Sequence, residues 1–173
     1  DEMATAVVWT QECLLGSDAA SPTRGLEVVA NHDPVQKNGR FGEPLKIGDK
    51  EYSHGLYCHA ESRIVVHLLE PGKIFNAIIG VDNNENTSAG TGSVVFSVVV
   101  AGQEAYRSEV LHGAQEGVPV SVDLAGATEF ELVCGDGGDG IACDQADWAE
   151  AKVGFADGRE VWLADLPMAG GPL

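Results

Sequence analysis

The sequence predicts an all-β fold, a single β-sandwich, and three observations predict it. Apolar residues recur with period two in one short stretch after another, the pattern of strands with one face on a core. Twenty-two glycines and seven prolines among 173 residues supply turn signals between those stretches. No long stretch carries the 3.6-residue period of a helix, and Gln145–Lys152 alone reads as a short helical segment. A chain of this length makes one domain and buries about 70% of its unfolded surface, enough for a core.

The strands follow in order. Val8-Trp9 echoes Val161-Trp162 near the other end, so both read as terminal strands. Arg63–Leu69 and Ile74–Val81 are separated by the turn Glu70-Pro71-Gly72. In Ser93–Val100, Val94, Phe96, Val98 and Val100 share one face, and Val95 and Val99 make the other largely apolar too. That is a strand covered on both sides. A hairpin turn at Gly102-Gln103 leads into Gln103–Ser108. Val120, Val122 and Leu124 alternate with Ser121 and Asp123, and after Ala125-Gly126, Phe130, Leu132 and Cys134 alternate with Glu129, Glu131 and Val133. Trp148–Phe155 and Arg159–Leu163 flank a second hairpin turn at Asp157-Gly158. Residues 1–23 read as an N-terminal extension or first strand, 24–165 as the sandwich, and 166–173 as a tail or linker.

Ten basic against 27 acidic residues give a net charge of −17. Nucleic-acid binding requires a basic face that displaces counterions from phosphates, so no nucleic acid is expected as a partner, and no anionic membrane. The longest apolar runs are too short for a transmembrane helix. The four cysteines, Cys13, Cys58, Cys134 and Cys143, form no C-x-x-C pair, so a zinc site is poorly supported. They are either buried free thiols or one or two disulfides, with three complete pairings open.

Three polar, glycine-rich stretches read as loops: Tyr52–Ser62, Asp82–Gly92 and Gly135–Trp148. Brought together at one end or edge of the sandwich, they form a polar cleft. Their residues suit sugar recognition, which needs planar polar groups matched to hydroxyls and an apolar ring over a C–H face. Asp82, Asn83, Asn84 and Glu85 come from one loop, Asp139, Asp144 and Gln145 from another, and His54, Tyr57 and His59 from the first. Tyr57 or Trp148 is a candidate ring platform, although Trp148 reads more readily as core. The competing reading of His59 is a buried histidine bonded to Asp147, and that of Asp82–Asn86 a solvated turn.

The ordered set Gly42–Tyr52, His54-Gly55-Leu56, Cys58–Ser62, Gly80-Val81-Asp82, Gly92–Phe96, Asp139-Gly140 and Asp144–Ala149 resembles the NPCBM family, related to family 51 of carbohydrate-binding modules. The resemblance runs from about Arg24 to about Phe155. It implies a jelly-roll-like β-sandwich of galactose-binding-domain type, glycan as the partner, galactose-type sugars among the ligands, and a setting within a larger glycoside hydrolase or surface protein. It also implies a structural calcium. Calcium takes hard oxygen ligands, and Asp136, Asp139 and Asp147 are the candidates, with uncoordinated surface acid as the alternative. Cys58 and Cys143 depart from the family pattern beside the proposed loops, which suggests a Cys58–Cys143 bridge. Acidity, cysteines and resemblance together point to a secreted or cell-surface protein whose signal peptide is not within these residues. No G-x-S-x-G, H-E-x-x-H, Walker or Rossmann fingerprint is present. Binding without turnover is therefore expected, ahead of a structural or protein-interaction domain and of a small glycoside hydrolase.

Overall fold

The structure, a computed structural model, describes residues 24–170. Val8-Trp9, Cys13 and the last three residues lie outside the described residues. Strands are numbered in chain order. One sheet runs β10 (Leu111–His112), β8 (Ser93–Val100), β12 (Glu129–Asp136), β6 (Ser62–His67), β1 (Gly25–Ala30), β15 (Met168–Gly170), with β9 (Gln103–Arg107) also on β8. The other runs β11 (Val118–Asp123), β7 (Gly72–Val81), β13 (Gln145–Phe155), β5 (Gly55–His59), β2 (Gln36–Lys37), with β14 (Glu160–Trp162) also on β13. A separate hairpin pairs β3 (Leu45–Ile47) with β4 (Lys50–Tyr52). The expected sandwich is present, and no described helix is long and apolar enough to cross a membrane.

Period two decides what each sheet buries. Ile64 and Val66, the even residues Val94–Val100, and Phe130, Leu132 and Cys134 point inward from the first sheet. Leu56, Cys58, Phe75, Ala77, Ile79, Val120, Val122, Ala146, Trp148 and Val153 meet them from the second. Trp148 is fully buried, its ring edge-on to Phe96 at 4.9 Å and 6.1 Å from Phe75. It is core, and the ring-platform alternative falls.

Three expectations are corrected. Gln145–Lys152 is no helix but the start of β13, the longest strand. Its residues pair with β5 on one side and β7 on the other, and sheet pairing overrides a weak local period. Tyr52–Ser62 is not a loop: Gly55–His59 is a fully buried strand between β13 and β2. Its small and polar residues hid a strand buried on both faces. The tail is not wholly frayed, because Met168–Gly170 pairs in parallel with Leu26–Val28.

The outer face of the second sheet carries its own small core. Tyr57, Ala149 and partly buried Ile78 point away from the sandwich interior and are covered by Leu45, Ile47 and Tyr52 of the β3–β4 hairpin. The hairpin fits because β7 has a glycine beneath it: a Cβ on Gly80 would meet Ile47 Cγ2 at 2.4 Å.

Candidate functional site

The same parity builds the site. With Leu56 and Cys58 inward, Tyr57 and His59 point outward. On the neighbouring strand Gln145 stands opposite His59, and Asp147 opposite Tyr57. Asp82, just past β7, joins them through its backbone N–H, which donates to the Gln145 carbonyl at 2.9 Å. One end of one sheet face thus collects residues from three distant segments.

Asn84 is the hub. Its side-chain amide donates to Gln145 Oε1 at 2.7 Å and to Asp82 Oδ1 at 2.7 Å. Its own Oδ1 accepts from the Asn86 N–H at 2.9 Å, and Thr87 Oγ1 accepts from the Asn84 N–H at 3.0 Å. The Asp82–Gly92 stretch is therefore an ordered loop. His59 is buried; its Nδ1 lies 2.8 Å from the Ala60 carbonyl, and its ring packs 4.6 Å from that of exposed His32. The Asn31 side chain accepts from the His59 N–H. No bond to Asp147 forms, contrary to expectation.

Arg40, Phe41, His32 and Asp33 belong to the same surface, and the sequence reading did not include them; Glu85, which it did include, joins them there through Arg40. Arg40 makes a two-pronged pair with Glu85, at 3.4 and 3.3 Å, and its Nε lies 3.9 Å from Asp82 Oδ1. Its guanidinium also covers the rings of Phe41 and Tyr57, at 5.4 and 5.8 Å. Glu85 is held below the usual carboxylate range, first by its own backbone N–H and then by Arg40. Phe41 is 62% exposed and has φ of 46°. An aromatic in the left-handed region is rare and costs backbone strain. Its N–H is held by Gln36 Oε1 at 2.7 Å. The available signal was its setting, Asn38-Gly39-Arg40-Phe41-Gly42: an aromatic among turn residues, outside any alternating run, has no strand to bury it.

The other predicted residues sit differently. Tyr57 is fully buried, its hydroxyl donating to Asp33 Oδ2 at 3.3 Å, so it supports the surface without offering its ring. Burial pushes the Tyr57 hydroxyl's pKa far up. Asn83 turns toward the hairpin, its amide donating to the Gly48 carbonyl at 2.5 Å. Asp144 adjoins Gln145 but is fully buried, its Oδ1 accepting from the Ser93 N–H at 2.8 Å, so it latches the loop to β8. Asp139 accepts from the Ser93 hydroxyl. His54 lies apart: it precedes β5 while His59 ends it, roughly 16 Å away at ~3.3 Å per residue. Its ring stacks on Trp162 at 4.3 Å.

The calcium ligands do not assemble. Asp147 is on the outer face of the second sheet, whereas Asp136 ends β12 in the first. Among the described residues no group of three His, Cys, Asp or Glu is disposed to hold a metal. The Cys58–Cys143 bridge is not formed: Cys58, Cys134 and Cys143 are free, the other of the two readings the sequence left open. A recess of about 400 Å³ lies at the opposite end, lined by Arg24, Leu68, Phe155, Arg159 and neighbours, and contains none of these residues.

The fold is that of a carbohydrate-binding module, shared with solved modules at 25% and 28% identity. The chain belongs to the NPCBM/NEW2 domain family, whose pattern matches residues 11–154. The CBM51 of Clostridium perfringens GH95 in complex with methyl-galactose superposes with a TM-score of 0.64 at 28% identity, over 73% of this chain and 91% of that one. CBM51-2 of C. perfringens ZmpB, in a structure with GlcNAc and the INT domains, gives 0.66 at 25% identity, over 73% of this chain and 28% of that one. A Renibacterium salmoninarum protein named "Putative endo-alpha-N-acetylgalactosaminidase" is 33% identical over 126 residues, which are 69% of this chain and 8% of that protein. The chain thus spans less than a tenth of that relative's length.

Proposed function

We propose that the surface formed by His32, Phe41, Asn84, Glu85 and Gln145 binds a terminal sugar of galactose or N-acetylhexosamine type. The observation that carries this reading is the convergence of Asn84, Gln145 and His59 at one strand end, with the exposed Phe41 ring 6.0 Å from that of Tyr57, two residues before His59 on the same face. The planar amides and imidazole match adjacent hydroxyls, and Phe41 is placed to cover a C–H face, which the buried Tyr57 and Trp148 are not. The ligands of the two Clostridium structures, methyl-galactose and GlcNAc, set the candidate chemistry. The module binds without turnover. Of the acids at this surface, Asp82 and Asp147 are 2% and 0% exposed, Asp33 accepts from the Tyr57 hydroxyl, and Glu85 is tied to Arg40 and held below the usual carboxylate range, the opposite of what a general acid needs. It serves a larger exported enzyme or surface protein by holding it on its glycan. Affinity of the isolated module is on the order of micromolar to millimolar, because few polar contacts must offset desolvation.

Calorimetry with methyl-galactose and GlcNAc, backed by a glycan array, tests the reading. Phe41→Ala and His32→Ala change exposed residues, so each should cut affinity about tenfold, a loss of ~1.4 kcal/mol, while the melting temperature stays put. Unchanged binding in both variants would move the site elsewhere. Binding to neither sugar nor any arrayed glycan would favour a structural or protein-interaction role.

A further inference from the structure

The interior holds two reactive groups that sugar binding does not use. Cys58 projects inward from β5 and Cys134 from β12, in opposite sheets, and Cys134 stands opposite Ser62, only four residues after Cys58, where the chain crosses from one sheet to the other. Both are fully buried and both are free. Cys58 is the foremost influence on the Cys134 thiol; together with burial it pushes Cys134 well above the ordinary thiol range. Cys58 stands beside Ala146 on β13, and Ala60 lies in the same cluster. Cys143, the partner expected from the sequence, lies on the loop before β13 with φ of 62°.

We propose that Cys58 and Cys134 form a disulfide that staples the two sheets through the core when the chain folds in the presence of a disulfide oxidant. Inter-sheet disulfides bridge other β-sandwiches, where small residues let the layers approach. With oxidised glutathione, one cysteine thiolate attacks the glutathione disulfide and releases one glutathione thiol. The second cysteine then attacks the mixed disulfide and releases the other. Two protein thiols are oxidised and one glutathione disulfide is reduced to two thiols. Full burial dictates the order of events: the bond forms before the sandwich closes, and once closed it is shielded from reductant.

The full chain, reduced and unfolded, is refolded with oxidised and reduced glutathione. Remaining thiols are alkylated in denaturant, and peptides are mapped by mass with and without reductant. The expected product is one cross-linked peptide pair containing Cys58 and Cys134. It should resist dithiothreitol in native buffer, yield in denaturant, and melt about 5–10 °C above the reduced form. Alkylation of Cys58 or Cys134 in the oxidised, folded product would overturn the proposal, as would linkage of Cys58 to Cys13 or Cys143. A Cys13→Ser, Cys143→Ser variant leaves only the core pair and changes no core side chain among the described residues. It should lose both free thiols on oxidative refolding, and retention of both is a second refuting result.

Discussion

Asp147 lies wholly inside the wall that supports the site, and neither of its carboxylate oxygens meets a hydrogen-bond donor. Burial, and then the nearby Asp82 carboxylate, push its pKa well above the ordinary range. An acid whose folded-state pKa is raised stabilises the fold fully below its unfolded value, and that stability drains away as pH rises through the folded value. Asp147→Asn removes the titration while keeping the shape. Its melting temperature should match the wild type near about pH 4 and exceed it near about pH 7. Thermal melts across that range check it; a variant less stable at the higher pH would mean the wall needs the charge. Asp147→Ala differs, because it leaves a void that costs stability at every pH. Asp144 is no free ligand either: replacing it with Ala frees the Ser93 N–H and should cost about 1–3 kcal/mol of stability, read by denaturant unfolding.

At the level of strands and hairpins, alternation made the first sheet legible. Val94–Val100 and Phe130–Cys134 stand where period two placed them, because each has one strongly apolar face. The second sheet was harder to read. β5 is Gly-Leu-Tyr-Cys-His, buried on both faces, one by the sandwich and the other by a hairpin folded over it, so no polar face betrays the strand. With β5 read as a loop and Gln145–Lys152, the start of β13, as a short helical segment, the parity that aligns His59 with Gln145 was invisible. Asn84, Gln145 and His59 converge as expected, while His54 was drawn in by nearness in sequence and Arg40 and Phe41 were missed because they belong to no strand. The hairpin is itself testable. Gly80→Ala puts a methyl into Ile47, and overpacking of this kind costs about 1–3 kcal/mol. Hydrogen exchange should quicken at Leu45–Tyr52 before it does in β8 or β12; uniform quickening would mean that the hairpin and sandwich unfold as one unit.

The molecule as a whole carries −17, yet its proposed ligands are uncharged. Ionic strength should then separate folding from binding. Raising salt from about 50 to 500 mM shortens the Debye length to a few ångströms and relieves self-repulsion, so the melting temperature should rise. Affinity for methyl-galactose should stay constant; a steep salt dependence would point to a charged glycan. One last property follows from the edge of the first sheet, where β1 and β15 lie side by side in parallel. Pulling Arg24 and Gly170 apart drags those strands past each other lengthwise, so the ladder between Leu26 and Val28 and Met168 and Gly170 carries load together rather than peeling open bond by bond. Under tension between a moving body and an anchored one, that geometry makes this short seam a mechanical clamp.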